Sequence, residues 1–440
     1  MAGLLAEPLL KVLDGAPPRR GAASCWGGDT GVSLPHLGAF VRALVVDPSG
    51  QNVFAAHENG ALSVWSTRTA QLVGQQLAAH SSAATCLLFH GGLLWSGGAD
   101  KQIVAWDSAG LSRVKILRGH YSTVKALHAG ATQANLWSLG EDRSLRLWRI
   151  SDKTQVAFVT LDFSPSCAVV GAHHFCVAQS TTLAVFNAGT CSRVATLEGH
   201  AGVVWALLLS HCGSVLHSGA DDGSVRQWAM DGQSAPIWRL VHTYRGHKRP
   251  VTLLAQAGDT LLAASLDGVR SWRHLESVFI ITRSSATDAP RSLAAASDGT
   301  TFFVGSADGW VKQFATADGE LLRSLGGLES AAHLVALSSE RGLAFAACYD
   351  GPVQGWRVSE PSSWSRDNHF LFQPEFQDAV RCFLCCVARR GCPAHALTSL
   401  GGPTADGLVD AIFKKLASGW PSEENDPLAG GLGRLTLCGI

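Results

Sequence analysis

One phrase recurs along this chain at nearly constant spacing. It reads SGGADKQIVAW at 96–106, SLGEDRSLRLW at 138–148, SGADDGSVRQW at 218–228 and GSADGWVKQF at 305–314. Each copy is a short apolar stretch, a tight turn holding an acid, a second apolar stretch and a closing aromatic. One copy is a hairpin. A series of copies is an architecture, because each unit must bury its apolar face against the next. Aligned on the closing aromatic, the series is Trp65, Trp106, Trp148, Phe186, Trp228, Trp272, Phe314 and Trp356. The steps are 41, 42, 38, 42, 44, 42 and 42 residues. Eight units in one register imply a single repeat fold rather than a string of unrelated domains.

Three further markers keep the same register. His80, His120, His200 and His247 lie 25 to 28 residues before their tryptophans. An acid stands six residues before the aromatic at Asp100, Asp142, Asp222, Asp308 and Asp350, and five before it at Asp267. Ser96, Ser138 and Ser218 stand ten before. Together these residues resemble the WD40 repeat family, over roughly residues 30–357. The resemblance implies an all-β fold, a β-propeller of four-stranded blades closed into a ring. Eight blades are expected, with seven as the fallback. The doubt is the fourth unit, which lacks the Gly-His marker and has Ser180 and Phe186 at the acid and tryptophan positions. The first unit has Asn59 for the acid; the seventh and eighth lack the serine. A propeller closes by mixing its termini, since an open row of blades would expose two sheet edges. TGVSLPH at 30–36 resembles the last strand of other units and is expected to complete the final blade, beside strands from about 332–357.

By the same resemblance, His80–Ser96–Asp100–Trp106, His120–Ser138–Asp142–Trp148 and His200–Ser218–Asp222–Trp228 form structural tetrads. A buried imidazole can donate to the acid and accept from the serine, and the serine can accept from the indole N–H. These residues mimic a catalytic set but serve the fold.

Composition narrows the function classes. The chain has 35 basic and 35 acidic residues, so no overall field draws it to nucleic acid or anionic membrane. No apolar run is long enough to span a bilayer, and Glu7 and Pro8 interrupt the N-terminal apolar stretch, so neither transmembrane segment nor signal peptide is expected. Twelve scattered cysteines fit reduced thiols and an intracellular, cytoplasmic location. Cys382, Cys385, Cys392 and His395 spell C-x2-C-x6-C-x2-H, with a shorter central gap than zinc ribbons. The surrounding CFLCCV suits cysteine as a small hydrophobe, and no metal is expected. No phosphate loop, nucleophile elbow or HExxH helix occurs. No enzyme activity, cofactor or small-molecule ligand is expected.

The organisation expected is an N-terminal arm at 1–29, a propeller at 30–357 and an extension at 358–440. Within the extension, 405–420 has apolar residues at helical spacing. The family binds proteins through its upper face. The positions that implies are three and five residues after each histidine and one before each turn acid. They are Ala83, Thr85, Ala99, Thr123, Lys125, Glu141, Val203, Trp205, Asp221, Pro250, Thr252 and Leu266, with Phe40, Arg42, Glu58, Ala307 and Tyr349 where the histidine is shifted or absent. Trp205 is the leading anchor. Lys125, Glu141, Asp221, Arg42, Phe40, Thr123 and Tyr349 complete the candidate set.

The function expected is a non-catalytic scaffold for other proteins or peptides. Two alternatives stand beside it. One is the non-catalytic WD40 portion of an inositol polyphosphate 5-phosphatase. The other is a substrate receptor of a cullin-type ubiquitin ligase. VWSTR at 64–68 has Ser66 where the receptor pattern W-D-x-R needs an acid, and AWDSA has Asp107 without the arginine.

Overall fold

The computed structural model describes residues 31–358, apart from 36–37, 109, 131, 133, 211–212, 232–236, 283–287, 339–341 and 349–350. The arm at 1–29, the extension beyond Val358 with its helix at 405–420, the set Cys382, Cys385, Cys392 and His395, and Tyr349 lie outside the described residues.

Strands form where apolar, β-branched and aromatic residues run between Gly and Asp turns. The described residues make eight four-stranded antiparallel sheets. Blades 1 to 7 occupy 41–76, 84–118, 124–160, 168–197, 204–244, 251–282 and 290–325, each built from consecutive strands. Blade 8 takes three strands from 334–357 and its fourth from Val32–Ser33. Val32 pairs with Gly355 and Ser33 with Gln354, so the chain's beginning closes the ring as the sequence led us to expect. The innermost strands of successive blades touch in one circuit, from blade 1 through blade 8 and back to blade 1.

Burial explains the sequence pattern. Middle strands are covered on both faces and read as nearly continuous apolar runs, as in NLWSLG at Asn135–Gly140. Outermost strands meet water, as in RVKILR at Arg113–Arg118. Each core lies between neighbouring blades. Cys86, Leu88 and Trp95 of blade 2 pack with Val124, Leu127 and Trp148 of blade 3. The cluster of blades 4 and 5 is built the same way, around Cys176, Val185, Leu216 and Trp228.

The fourth unit forms a complete blade despite its missing markers. Aromatic packing does the work there. Phe186 stacks on Phe175 at 4.9 Å between centroids, and Phe175 meets Trp137 of blade 3 at 4.6 Å.

Hydrogen bonds also tie blade to blade. The Ser166 hydroxyl donates to the Val204 carbonyl, and that of Ser292 to the Ala332 carbonyl at 2.8 Å. His333 donates from Nε2 to the Val41 carbonyl at 2.8 Å, joining blade 8 to blade 1.

Candidate partner-binding rim

The turn between the second and third strands lies at the same end of each blade as the loop entering its innermost strand. The Glu58, Ala99, Glu141, Asp221 and Ala307 amides donate to the carbonyls of Phe40, Ala83, Thr123, Val203 and Ala289, at 2.8–2.9 Å. This is the upper end. The histidine and acid of each tetrad meet there and fix the loop to the turn.

The three tetrads share one geometry. His80 donates from Nδ1 to Asp100 at 2.9 Å. Its Nε2 accepts from the Ser96 hydroxyl at 2.7 Å, and Ser96 accepts from the Trp106 indole at 2.8 Å. His120, Ser138, Asp142 and Trp148 repeat this with His–Ser at 2.7 Å and Trp–Ser at 2.8 Å. His200, Ser218, Asp222 and Trp228 do so at 2.8 and 2.9 Å. The acceptor-only carboxylate fixes the tautomer, so each buried polar atom of the chain has a partner.

The turn acids do more than hold imidazoles. Asp142 also accepts from the Tyr121 and Ser144 amides, at 2.8 and 3.2 Å. Burial by itself would raise these carboxyls. For Asp222, bonds from the Ser224 hydroxyl, the Ala201 and Ser224 amides and His200 outweigh it and hold the pKa at about 2. Burial pushes His200 down, against the pull of Asp222. In the blade 5 tetrad a neutral imidazole therefore lies beside an ionised carboxylate.

Departures follow the sequence. Blade 6 keeps His247–Asp267 at 2.6 Å. In blade 1, His57 Nε2 meets the Ser63 hydroxyl at 2.6 Å, a pairing that spacing alone did not reveal. In blade 7, Lys312 pairs with Asp288 and lies 3.9 Å from Asp308.

The rim is built by β-bulges. Among the described residues, six innermost strands lose register after their first residue, leaving Arg42, Thr85, Lys125, Trp205, Thr252 and Arg291 without an opposite partner. A bulge re-aims the side chain it frees. Four of the six, Thr85, Lys125, Trp205 and Thr252, are positions the histidine count identified, and Arg42 is among those named where the histidine is shifted or absent. Arg291 was missed because no histidine precedes it at that distance. Counting back from the aromatic finds it: Arg42, Lys125, Trp205 and Arg291 each stand 23 residues before their closing Trp or Phe.

Three bulge residues pair with the residue before their own turn acid position. Arg42 pairs with Glu58. Lys125 lies 4.0 Å from Glu141 and donates to the Pro165 carbonyl of the loop entering blade 4 at 3.3 Å. The half-buried Trp205 donates its indole N–H to Asp221 at 2.6 Å. Phe40 is exposed beside the first pair, and Thr123 adjoins the second. Thr85 departs from the expected role. Its hydroxyl donates to Gly97 at 3.0 Å and to the Val124 carbonyl of blade 3, so it staples two blades rather than facing a partner.

Residues 191–229, the outer strand of blade 4 and the first three of blade 5, match the family described as WD domain, G-beta repeat. The chain is a WD40-repeat protein. WD repeat-containing protein 18 of Danio rerio is 24% identical over 240 residues, which are 48% of this chain and 54% of that protein. Cell division control protein 4 of Saccharomyces cerevisiae is 26% identical over 161 residues, 36% of this chain and 18% of the relative. Periodic tryptophan protein 2 of Arabidopsis thaliana is 26% identical over 242 residues, 52% of this chain and 26% of the relative. The chain thus spans between a fifth and just over half of these relatives. Among solved structures, the computationally designed Ika8 protein superposes with a TM-score of 0.64 at 24% identity. It covers 75% of the WD40 chain and all of its own.

Among the described residues of this WD40 protein, no group of three or more His, Cys, Asp or Glu is placed to hold a metal ion. No described helix is long and apolar enough to cross a membrane.

Proposed function

We propose that the propeller, residues 30–357, is a non-catalytic scaffold that binds proteins through its upper rim. The observation carrying this reading is the set of bulges. They bring a different pair to the same place on blades 1, 3 and 5: Arg42 with Glu58, Lys125 with Glu141, Trp205 with Asp221. One indole and two ion pairs around a ring offer an anchor with charged surroundings, which select a partner more than they tighten it. The tetrads beneath hold the loops rigid, so little ordering entropy is lost on binding. The WD40 relatives support a protein-binding role of this coarse kind.

The test is affinity capture with quantitative mass spectrometry on the full chain. Wild type is compared with Trp205→Ala combined with Lys125→Glu, after matching thermal melts. The reading expects proteins enriched by wild type to be lost from the double variant. An unchanged set of proteins would remove the rim from consideration.

A further inference from the structure

The chain is neutral overall, but its charge is not evenly spread. Residues 101–160, which hold the outer half of blade 2 and all of blade 3, carry nine Lys and Arg against four Asp and Glu. Three of the four acids are held within the segment: Asp142 by His120 and Arg146, Glu141 by Lys125, and Asp152 by Arg149. Among the described residues, Lys101, Arg113, Arg118, Arg143 and Lys153 form no ion pair. The first four are exposed.

These cations lie on the outer strand of blade 2 and the nearby turns: Lys115 faces blade 3, whereas Arg113 and Arg118, opposite Trp106 and Gln102, turn toward blade 1. Arg113, Lys115 and Arg118 share the outer strand of blade 2, and Arg118 pairs across it with Gln102, next to Lys101. Leu117 packs between blades 2 and 3, and Lys115, two residues before it, turns the same way. Lys115 reaches the Asp152 carbonyl of blade 3 at 3.4 Å, beside Lys153. Above it, Gly119 lies over Arg146 and Gln155 of blade 3. The gap between the two outer strands is thus walled by cations on both sides.

Its other lining is aromatic. The Arg146 guanidinium lies 5.5 Å from the ring of Tyr121 and 5.8 Å from that of Phe158. Ser144 and Gln155 fix it, at 3.1 and 2.7 Å, with Asp142 at 3.6 Å. Yet Tyr121 is 80% exposed and Phe158 58%. Blades 5 and 6 have arginine at the same position, Arg226 and Arg270, but Ala201 and Lys248 where Tyr121 stands. Phe158 belongs to an outer strand, Thr154–Thr160, that carries no charge, Pro or Gly. Proteins protect such edges with exactly those residues, and this one is left open.

Three of the cations, Lys101, Arg143 and Lys153, have left-handed backbone. Lys101 and Arg143 have φ of 70° and 58° at a turn position that blades 1, 5 and 7 fill with Gly60, Gly223 and Gly309. Left-handed backbone is costly for a side chain, and strain of this sort collects at functional surfaces.

We infer that the outer wall between blades 2 and 3 docks an extended acidic peptide segment bearing aromatic or apolar residues. The segment lies along the open strand Thr154–Thr160, sets apolar side chains on Phe158 and Tyr121, and turns carboxylates to Lys115 and Lys153. Charge complementarity chooses this occupant. This surface runs outward from the upper-end turns that hold Lys101 and Arg143, and its binding does not need Trp205.

The experiment is fluorescence polarisation with the full chain. The probe is a short fluorescein-labelled peptide of alternating Glu and Phe. Its Lys and Phe counterpart and a short uridine oligonucleotide are the comparisons. The Glu–Phe peptide should bind and weaken as salt rises. Lys115→Glu with Lys153→Glu should weaken it about tenfold, and Phe158→Ser should also weaken it. Arg323→Glu, on the outer strand of blade 7, should not. Thermal melts confirm that each variant is folded. No binding, equal binding of the Lys–Phe peptide, or indifference to the blade 2 and 3 variants overturns the inference. Tighter binding of the oligonucleotide than of the peptide overturns it in favour of nucleic acid.

Discussion

Blades 3 and 7 have the same four strands in the same order, yet they are held by different means. Blade 3 joins His120, Ser138, Asp142 and Trp148 through buried hydrogen bonds. Blade 7 contains no histidine, closes on Phe314 and uses Lys312 with Asp288 and Asp308. Phe314 stacks with Phe302 at 5.3 Å, and Phe302 with Phe279 of blade 6 at 5.7 Å. The fold therefore needs the apolar wedge between blades. The polar chain is one way to lock its upper end, complete in blades 2, 3 and 5 and partial in blades 1 and 6.

The largest effect should come from breaking that lock. Asp142→Ala strands the His120 donor and the Tyr121 amide, and denaturant melts should show a loss of about 3 kcal/mol. Asp308→Ala in blade 7 removes a bond to its own turn amide and a distant lysine, and should cost less than about 1 kcal/mol. Equal losses would mean that the two blades are locked alike.

Acid should separate the blades next. His217 in blade 5 is buried with only Gln227 to assist its charged form, and burial pushes it down to about 4. The unfolded chain, with histidine near 6.5, then binds a proton the folded chain refuses. Stability from this group is full above pH 6.5 and falls as pH drops toward 4, by about 2 kcal/mol. His217→Gln should flatten that slope. Hydrogen exchange at pH 5 should show blade 5 opening before blade 7, which has no imidazole to protonate.

The smallest effect concerns strain. Lys101→Gly relieves a left-handed lysine and should raise stability by about 0.5–1 kcal/mol, read as a small rise in melting temperature. The corresponding change is not available in blade 7, where Gly309 already holds the position.

Much of this was legible in the sequence, for identifiable reasons. The closing aromatics and the turn acids recur because every blade repeats one burial problem, so counting found eight blades and the strand at Val32–Ser33. The tetrads could be placed residue by residue because the resemblance to WD40 repeats carries their positions onto matching residues of this chain. The rim was harder. Thr85 and Lys125 hold equivalent places, yet one staples blades and the other pairs with an acid, because the outcome depends on the neighbour. Arg291 lacked a histidine to count from. The basic wall at blades 2 and 3 escaped a reading based on net charge, since distant acids cancel its cations in the sum and not in space.

The final blade has a consequence in time. Two residues near the beginning of the chain, Val32 and Ser33, pair with Gly355 and Gln354. At ribosomal speeds of about 5–20 residues per second, that strand waits about 15–60 s for its partner to be made. Until then the finished blades stand in an open arc with an apolar blade face uncovered at each end and the strand Gln354–Arg357 unpaired on one side, which is the surface aggregation would use in that interval.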